Sequence, residues 1–165
     1  MRPRRAGIAL AIVHLLLVGS LGLKLLADRA RLPRAWARTL PFDPNLPIRG
    51  RYVRLRLEVP LAGGAAAAAA GEYRRARLRT EGDRLQGVLD DDGPVRVRLD
   101  SAPGGLVAGL DDPVAFFIPE HIPDPSVRPP GEELWAEVTV PHRGPPRPIR
   151  LAVRRGGTLT PLEIR

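Results

Sequence analysis

Apolar residues fall into two regimes along this chain. From Ala6 to Leu23 they run almost without interruption, AGIALAIVHLLLVGSLGL, with His14 the one strongly polar member. From Tyr52 onward they recur at every second position. The first regime predicts a helix. Its 18 residues, at about 1.5 Å each, span roughly 27 Å, close to the thickness of a hydrocarbon core. Leu25, Leu26 and Ala27 extend it past Lys24, whose long stem can carry its charge to the interface.

The second regime predicts strands. Val53, Leu55, Leu57 and Val59 share one face, while Tyr52, Arg54, Arg56 and Glu58 share the other. The same alternation returns in YRRARLRT (73–80), VRVRLD (95–100), LWAEVTV (134–140) and IRLAVR (149–154). Shorter strands are expected at 84–89, 114–118 and 159–164. Turn signals separate them: Glu81-Gly82-Asp83, Asp92-Gly93, Pro103-Gly104-Gly105, Gly131 and Gly156-Gly157. Short strands at hairpin spacing predict a mainly β domain, an antiparallel sandwich or partly open barrel, preceded by one transmembrane helix. The alanine run in GGAAAAAAGE (63–72) reads as a flexible hairpin loop. The proline-rich stretch 119–131 reads as a long crossing from one part of the sheet to another.

The expected organisation is a basic cytoplasmic tail over 1–5, an anchor over 6–27, a juxtamembrane arm over 28–42 and a β domain over 43–165. Trp36, set between Arg34 and Arg38, suits either the headgroup level or a packing role on the domain. A cleaved export signal is the competing reading of the N-terminus, although its apolar stretch is long and no A-x-A-like site follows.

Charge changes the picture less than its total of +8 suggests. Eight basic residues and one acid lie in 1–42, which leaves 18 basic and 17 acidic residues for 43–165. The excess flanks the apolar segment, where cations are expected, so nucleic acid is not an expected partner. The chain has no cysteine, which excludes disulfides, thiolate metal sites and a cysteine nucleophile. Aromatics make up only 4% of the chain, so the core must be built from Val, Leu, Ile and Ala.

Candidate chemistry is sparse. Lys24 is the single lysine, so the domain holds no Ser-Lys pair. Ser101 and Ser126, with His121 or His142, lack a glycine elbow. Asp90-Asp91-Asp92-Gly93 lacks the spaced ligands of a calcium loop and reads as a solvated turn. No metal or cofactor is therefore expected. Arg54, Arg56, Arg75, Arg77, Arg79, Arg96 and Arg98 form an outward stripe. It suits an anionic headgroup or, more simply, a solvated face paired with acids.

Gly50-Arg51-Tyr52-Val53-Arg54-Leu55-Arg56-Leu57, led in by Pro41-Phe42-Asp43-Pro44 and Arg49, resembles the signature of the bacterial GDYxxLxY family of small membrane-anchored proteins. Phe116-Phe117-Ile118-Pro119-Glu120 resembles that family's second recurrent segment. The resemblance implies an extracytoplasmic domain at the inner membrane, with no established activity and with integral membrane proteins as partners. Its candidate docking residues are Asp43, Pro44, Arg49, Gly50, Tyr52, Leu55, Phe116, Phe117, Pro119 and Glu120. Arg51 stands where the family has Asp, and Leu57 where it has the last Tyr. Those departures favour a structural role for Gly50, Tyr52 and Leu55 over a catalytic one. The expected function is thus a non-enzymatic docking subunit. Its alternatives are an envelope hydrolase using Asp43, Glu120 and His121, or a headgroup-binding module.

Overall fold

The computed structural model describes residues 3–41, 52–63, 69–103, 105–119, 121–142 and 144–164. The chain divides into two compact units, 1–32 and 33–165.

The first unit is one helix, α1 (Pro3–Arg31). Ala6–Arg31 is long and apolar enough to cross a membrane, a property that export signals share. Leu10, Leu15, Leu16, Leu17, Val18 and Leu23 are all exposed. Such an exposed apolar stretch is suited to lipid. The two polar side chains within 6–23, His14 and Ser20, are satisfied within the helix. The His14 ring meets the Leu10 carbonyl through Nδ1 at 3.1 Å, and Ser20 Oγ donates to the Leu17 carbonyl at 2.9 Å.

The second unit is all β, with ten strands among the described residues: β1 (Arg34–Pro41), β2 (Tyr52–Pro60), β3 (Tyr73–Glu81), β4 (Arg84–Leu89), β5 (Val95–Ala102), β6 (Gly105–Leu110), β7 (Val114–Phe117), β8 (Glu132–Thr139), β9 (Arg147–Arg155) and β10 (Thr158–Pro161). Six of them close on themselves. β1 pairs with β2, β2 with β6, β6 with β5, β5 with β3, and β3 with β4. β4 returns to β1 where Trp36 faces Arg84, and the Trp36 N–H donates to the Asp83 carbonyl at 2.7 Å. The ring is a closed six-stranded barrel, a more complete closure than the sandwich or partly open barrel expected. The antiparallel rule breaks at the seam, where β1–β4 and the Leu61–Gly87 bridge are parallel. β7 continues along β2 beyond β6, and β8, β9 and β10 extend the sheet from β1.

Alternation built this barrel as expected. Val53, Leu55, Leu57 and Val59 are buried, as are Val95, Val97 and Leu99, and all seven join one aliphatic core with Leu85, Leu110, Val138 and Leu151.

Two strands depart from the expectation. The stretch 34–41, expected in a juxtamembrane arm, is β1. Its inward residues are Ala35, Ala37 and Thr39, and its large residues point outward, so its hydrophobic pattern is inverted. Small inward side chains suit a strand that meets β2, β4 and β8 together. The Thr39 hydroxyl is still satisfied, donating to the Leu134 carbonyl at 3.0 Å. β6 (GLVAGL) has no polar alternation to show. Its Gly109 lies under Asp100 and Arg56, whose atoms would stand 3.3 and 3.4 Å from an added Cβ.

The connections also differ from hairpin expectation in two places. Gly82-Asp83 and Gly156-Gly157 do make two-residue hairpins, with φ of 60° at Gly82 and 55° and 91° at the glycine pair. The alanine run, by contrast, joins β2 to β3, which do not pair; residues 64–68 lie outside the described residues. Residues 90–94 join β4 to β5, which lie on opposite sides of β3. That segment crosses β3 with Gly93 against the Ala76 main chain. It is held by Asp90 N–H to the Arg75 carbonyl (3.0 Å) and by Arg75 Nη1 to the Gly93 carbonyl (3.0 Å).

Asp90 also has a charge role here. It accepts the Asp92 N–H at 3.0 Å and Arg77 Nε at 2.9 Å, and these contacts, the amide foremost, hold its carboxyl below the ordinary 3.8. A lowered folded value gives stability that is present above the ordinary value and is lost as pH falls through the lowered one. Melting curves taken between about pH 5 and pH 3 should therefore fall less steeply for Asp90→Asn than for the parent protein. Parallel curves would show that the two contacts do not favour the carboxylate.

Candidate functional site

The two segments singled out in the sequence meet in space. Tyr52 lies opposite Phe117 and Val53 opposite Phe116 on the β2–β7 pair. β7 is the outermost strand at that end of the sheet. The Tyr52 and Phe117 rings make an edge-to-face contact, with centroids 5.6 Å apart and planes at 73°. Both rings remain about half exposed, at 53% and 52%. Phe116 turns the other way and packs on the core, Ile118 is buried, and Leu55 is wholly buried within the barrel. Leu55 is thus a core residue, while Tyr52 and Phe117 are the members of the set that face outward as large rings. Pro119 is half-buried beside them. Asp43, Pro44, Arg49, Gly50 and Glu120 lie outside the described residues, as does Arg51.

The arginine stripe is largely neutralised in place. Arg77 pairs with Asp90 at 2.9 Å, Arg96 with Asp111 at 3.5 Å and Arg98 with Asp100 at 3.5 Å. Arg75 is engaged by the Gly93 carbonyl, and Arg56 is also engaged. Arg54, Arg75 and Arg79 of the stripe have no ion pair among the described residues. The pairing favours the solvated face over a lipid-binding one.

A cavity of about 400 Å³ is bordered by Leu78, Pro94, Val95, Val140 and His142, with no serine or carboxylate in its wall. Ser126 borders a different cavity of about 220 Å³ that contains no histidine. Among the described residues no cluster of three or more His, Asp or Glu is placed to hold a metal ion. His121 is exposed, and its proposed companions Asp43 and Glu120 lie outside the described residues.

A second constellation was not singled out in the sequence. The outer face of β1, β8 and β9 carries both tryptophans of the chain. Trp36 lies opposite Glu137, which lies opposite Arg150. Arg150 Nε meets the buried Glu137 carboxylate at 2.6 Å, while its guanidinium carbon stands 5.3 Å from the Trp36 ring centroid. Trp135 is 91% buried (9% exposed) beneath two further arginines, Arg84 at 5.7 Å and Arg154 at 5.2 Å from its centroid. Its Nε1 donates to Glu133 at 3.1 Å, and Glu133 also pairs with Arg38 at 3.3 Å. Both faces of β8 are therefore covered. The signal available beforehand was parity in two strands: Trp135 alternates with Leu134 and Ala136, and Arg150 and Arg154 alternate with Leu151 and Val153.

The chain is thus an apolar helix of membrane-spanning length followed by a closed β-barrel unit with a three-strand extension. Compared with family models, with curated proteins and with solved structures, it matches none.

Proposed function

We propose that this protein is a membrane-tethered, non-enzymatic accessory subunit whose β unit docks on an integral membrane protein at the outer side of a bacterial cytoplasmic membrane. The observation that carries the reading is the Tyr52–Phe117 corner. Two segments 65 positions apart, each resembling a recurrent segment of the GDYxxLxY family, come together as adjacent strands and expose an edge-to-face aromatic pair on an end strand. Exposed tyrosine and phenylalanine on a strand that ends the sheet among the described residues offer apolar area to a partner. The helix supplies the reason for a membrane-embedded partner, since it confines the β unit to a layer beside the bilayer.

The test is co-purification from detergent-solubilised membranes. Tyr52→Ala and Phe117→Ala should each lose the integral membrane protein that the parent chain retains. The edge-to-face pair is worth only about 0.5–1.5 kcal/mol, so the β unit of both variants should still melt cooperatively. Equal recovery of the partner by folded variants would remove the corner from the interface. Protease added to spheroplasts should digest the β unit and spare a cytoplasmic marker; protection of the β unit would overturn the topology.

A further inference from the structure

Two arginines on the Trp135 face have no ion pair among the described residues. Arg84 and Arg154 each stand within 6 Å of one ring centroid, and neither makes an ion pair with a carboxylate of the described residues. Their neighbours behave differently: Arg38 pairs with Glu58 and Glu133, Arg150 with Glu137, and Arg155 with Glu132. The two unmatched cations border one cavity of about 120 Å³, with Trp36, Trp135, Asp83, Gly157 and Leu159. Asp83 contributes its carbonyl to the Trp36 N–H, and its carboxylate pairs with neither arginine.

From this we infer that the cavity is a binding site for a phosphoryl oxyanion, held by Arg84 and Arg154 against the Trp135 edge. Two guanidiniums without an ion pair in one cavity wall attract an anion, and an anion bound there supplies the counter-charge that no ion pair of the described residues provides. The planar N–H fork of a guanidinium grips phosphoryl oxygens two at a time. Shape selects among anions. A tetrahedral phosphoryl group presents its oxygens to two guanidiniums in more than one plane, whereas the two oxygens of a carboxylate lie in a single plane. Gly157, with φ of 91° and no side chain, leaves one wall of the cavity low. A soluble phosphate ester and the phosphodiester of a lipid headgroup share this chemistry. The site is independent of the Tyr52–Phe117 corner.

Because Trp36 and Trp135 are the only tryptophans, indole emission reports on this face alone. The full chain in neutral detergent micelles is titrated with inorganic phosphate, with ionic strength held constant by chloride. A second arm compares nanodiscs of phosphatidylglycerol with nanodiscs of phosphatidylcholine. A saturable change with phosphate, weakened about tenfold or more in Arg84→Gln and in Arg154→Gln and kept in Arg79→Gln, supports the site and assigns it a soluble ligand. A change confined to phosphatidylglycerol discs with the same variant pattern supports the site and assigns it a headgroup. Phosphorus line broadening repeats the measurement without relying on indole emission in the variants. No saturable response in either arm, or a response that survives in Arg84→Gln and Arg154→Gln, overturns the inference.

Discussion

Leu57→Ala should destabilise the β unit by about 2–5 kcal/mol, a large share of the roughly 5–15 kcal/mol that holds a typical domain together. Leu57 is wholly buried and faces Thr39 across β1–β2. β2 is the strand through which β1, β6 and β7 are joined, so the missing side chain leaves its cavity at the barrel's main junction. Collapse into that space is opposed because Val59, Leu55 and Val97 are themselves wholly buried. Guanidinium unfolding of the full chain in mild detergent, followed by the emission of the two tryptophans, should show a lower midpoint with an unchanged slope. Arg54→Ala, on the outward face of the same strand, should stay within about 0.5 kcal/mol. Equal effects at the two positions would mean that period-two burial does not organise β2.

That comparison also separates what could be read beforehand from what could not. Where inward residues are large and outward ones charged, as in β2 and β5, the pattern of the chain is the pattern of the fold. β1 defeats this reading because its inward positions are Ala35, Ala37 and Thr39. A strand with three neighbours needs small side chains inside, and small side chains leave no hydrophobic period. β8 shows half of its environment. Leu134, Ala136 and Val138 announce the core face, but Trp135, Glu137 and Thr139 are buried as well, beneath partners that β1 and β9 supply. Glu137 looks like an ordinary solvent-facing acid until Arg150 is placed opposite it. The arginines of that face look interchangeable in sequence. Which of them lack a carboxylate is decided by side-chain pairing in the assembled sheet: Glu133, opposite Arg154 in register, pairs with Arg38 of β1 instead. The meeting of Tyr52 with Phe117 has the same origin, since no local signal says that β7 pairs with β2.

The sharpest consequence of topology falls on Gly93→Ala. In sequence, Asp92-Gly93 looks like a hairpin turn, where an alanine costs little. In the fold this segment carries the chain over β3 between two strands that do not touch each other. A Cβ on Gly93 would stand 2.5 Å from the carbonyl carbon and oxygen of Ala76 and 2.8 Å from its nitrogen. Those atoms belong to the backbone of a wholly buried strand residue, so they cannot swing aside as a side chain would. Relief requires lifting residues 90–94 off β3, which breaks the Asp90–Arg75 and Arg75–Gly93 hydrogen bonds and moves Asp90 away from Arg77. The expected loss is about 1–3 kcal/mol or more from overpacking, with further loss from the broken contacts. Gly131→Ala is the informative comparison. Gly131 has φ of 87° but open space at its Cβ, so its alanine carries only the conformational cost of about 1–2 kcal/mol. Gly93→Ala should therefore melt lowest, and it should also flatten the acid dependence in the way Asp90→Asn does. Ala76→Gly should not rescue it, because the obstruction is main chain and not the Ala76 methyl. Rescue by that second substitution would show that the crossing is looser than described.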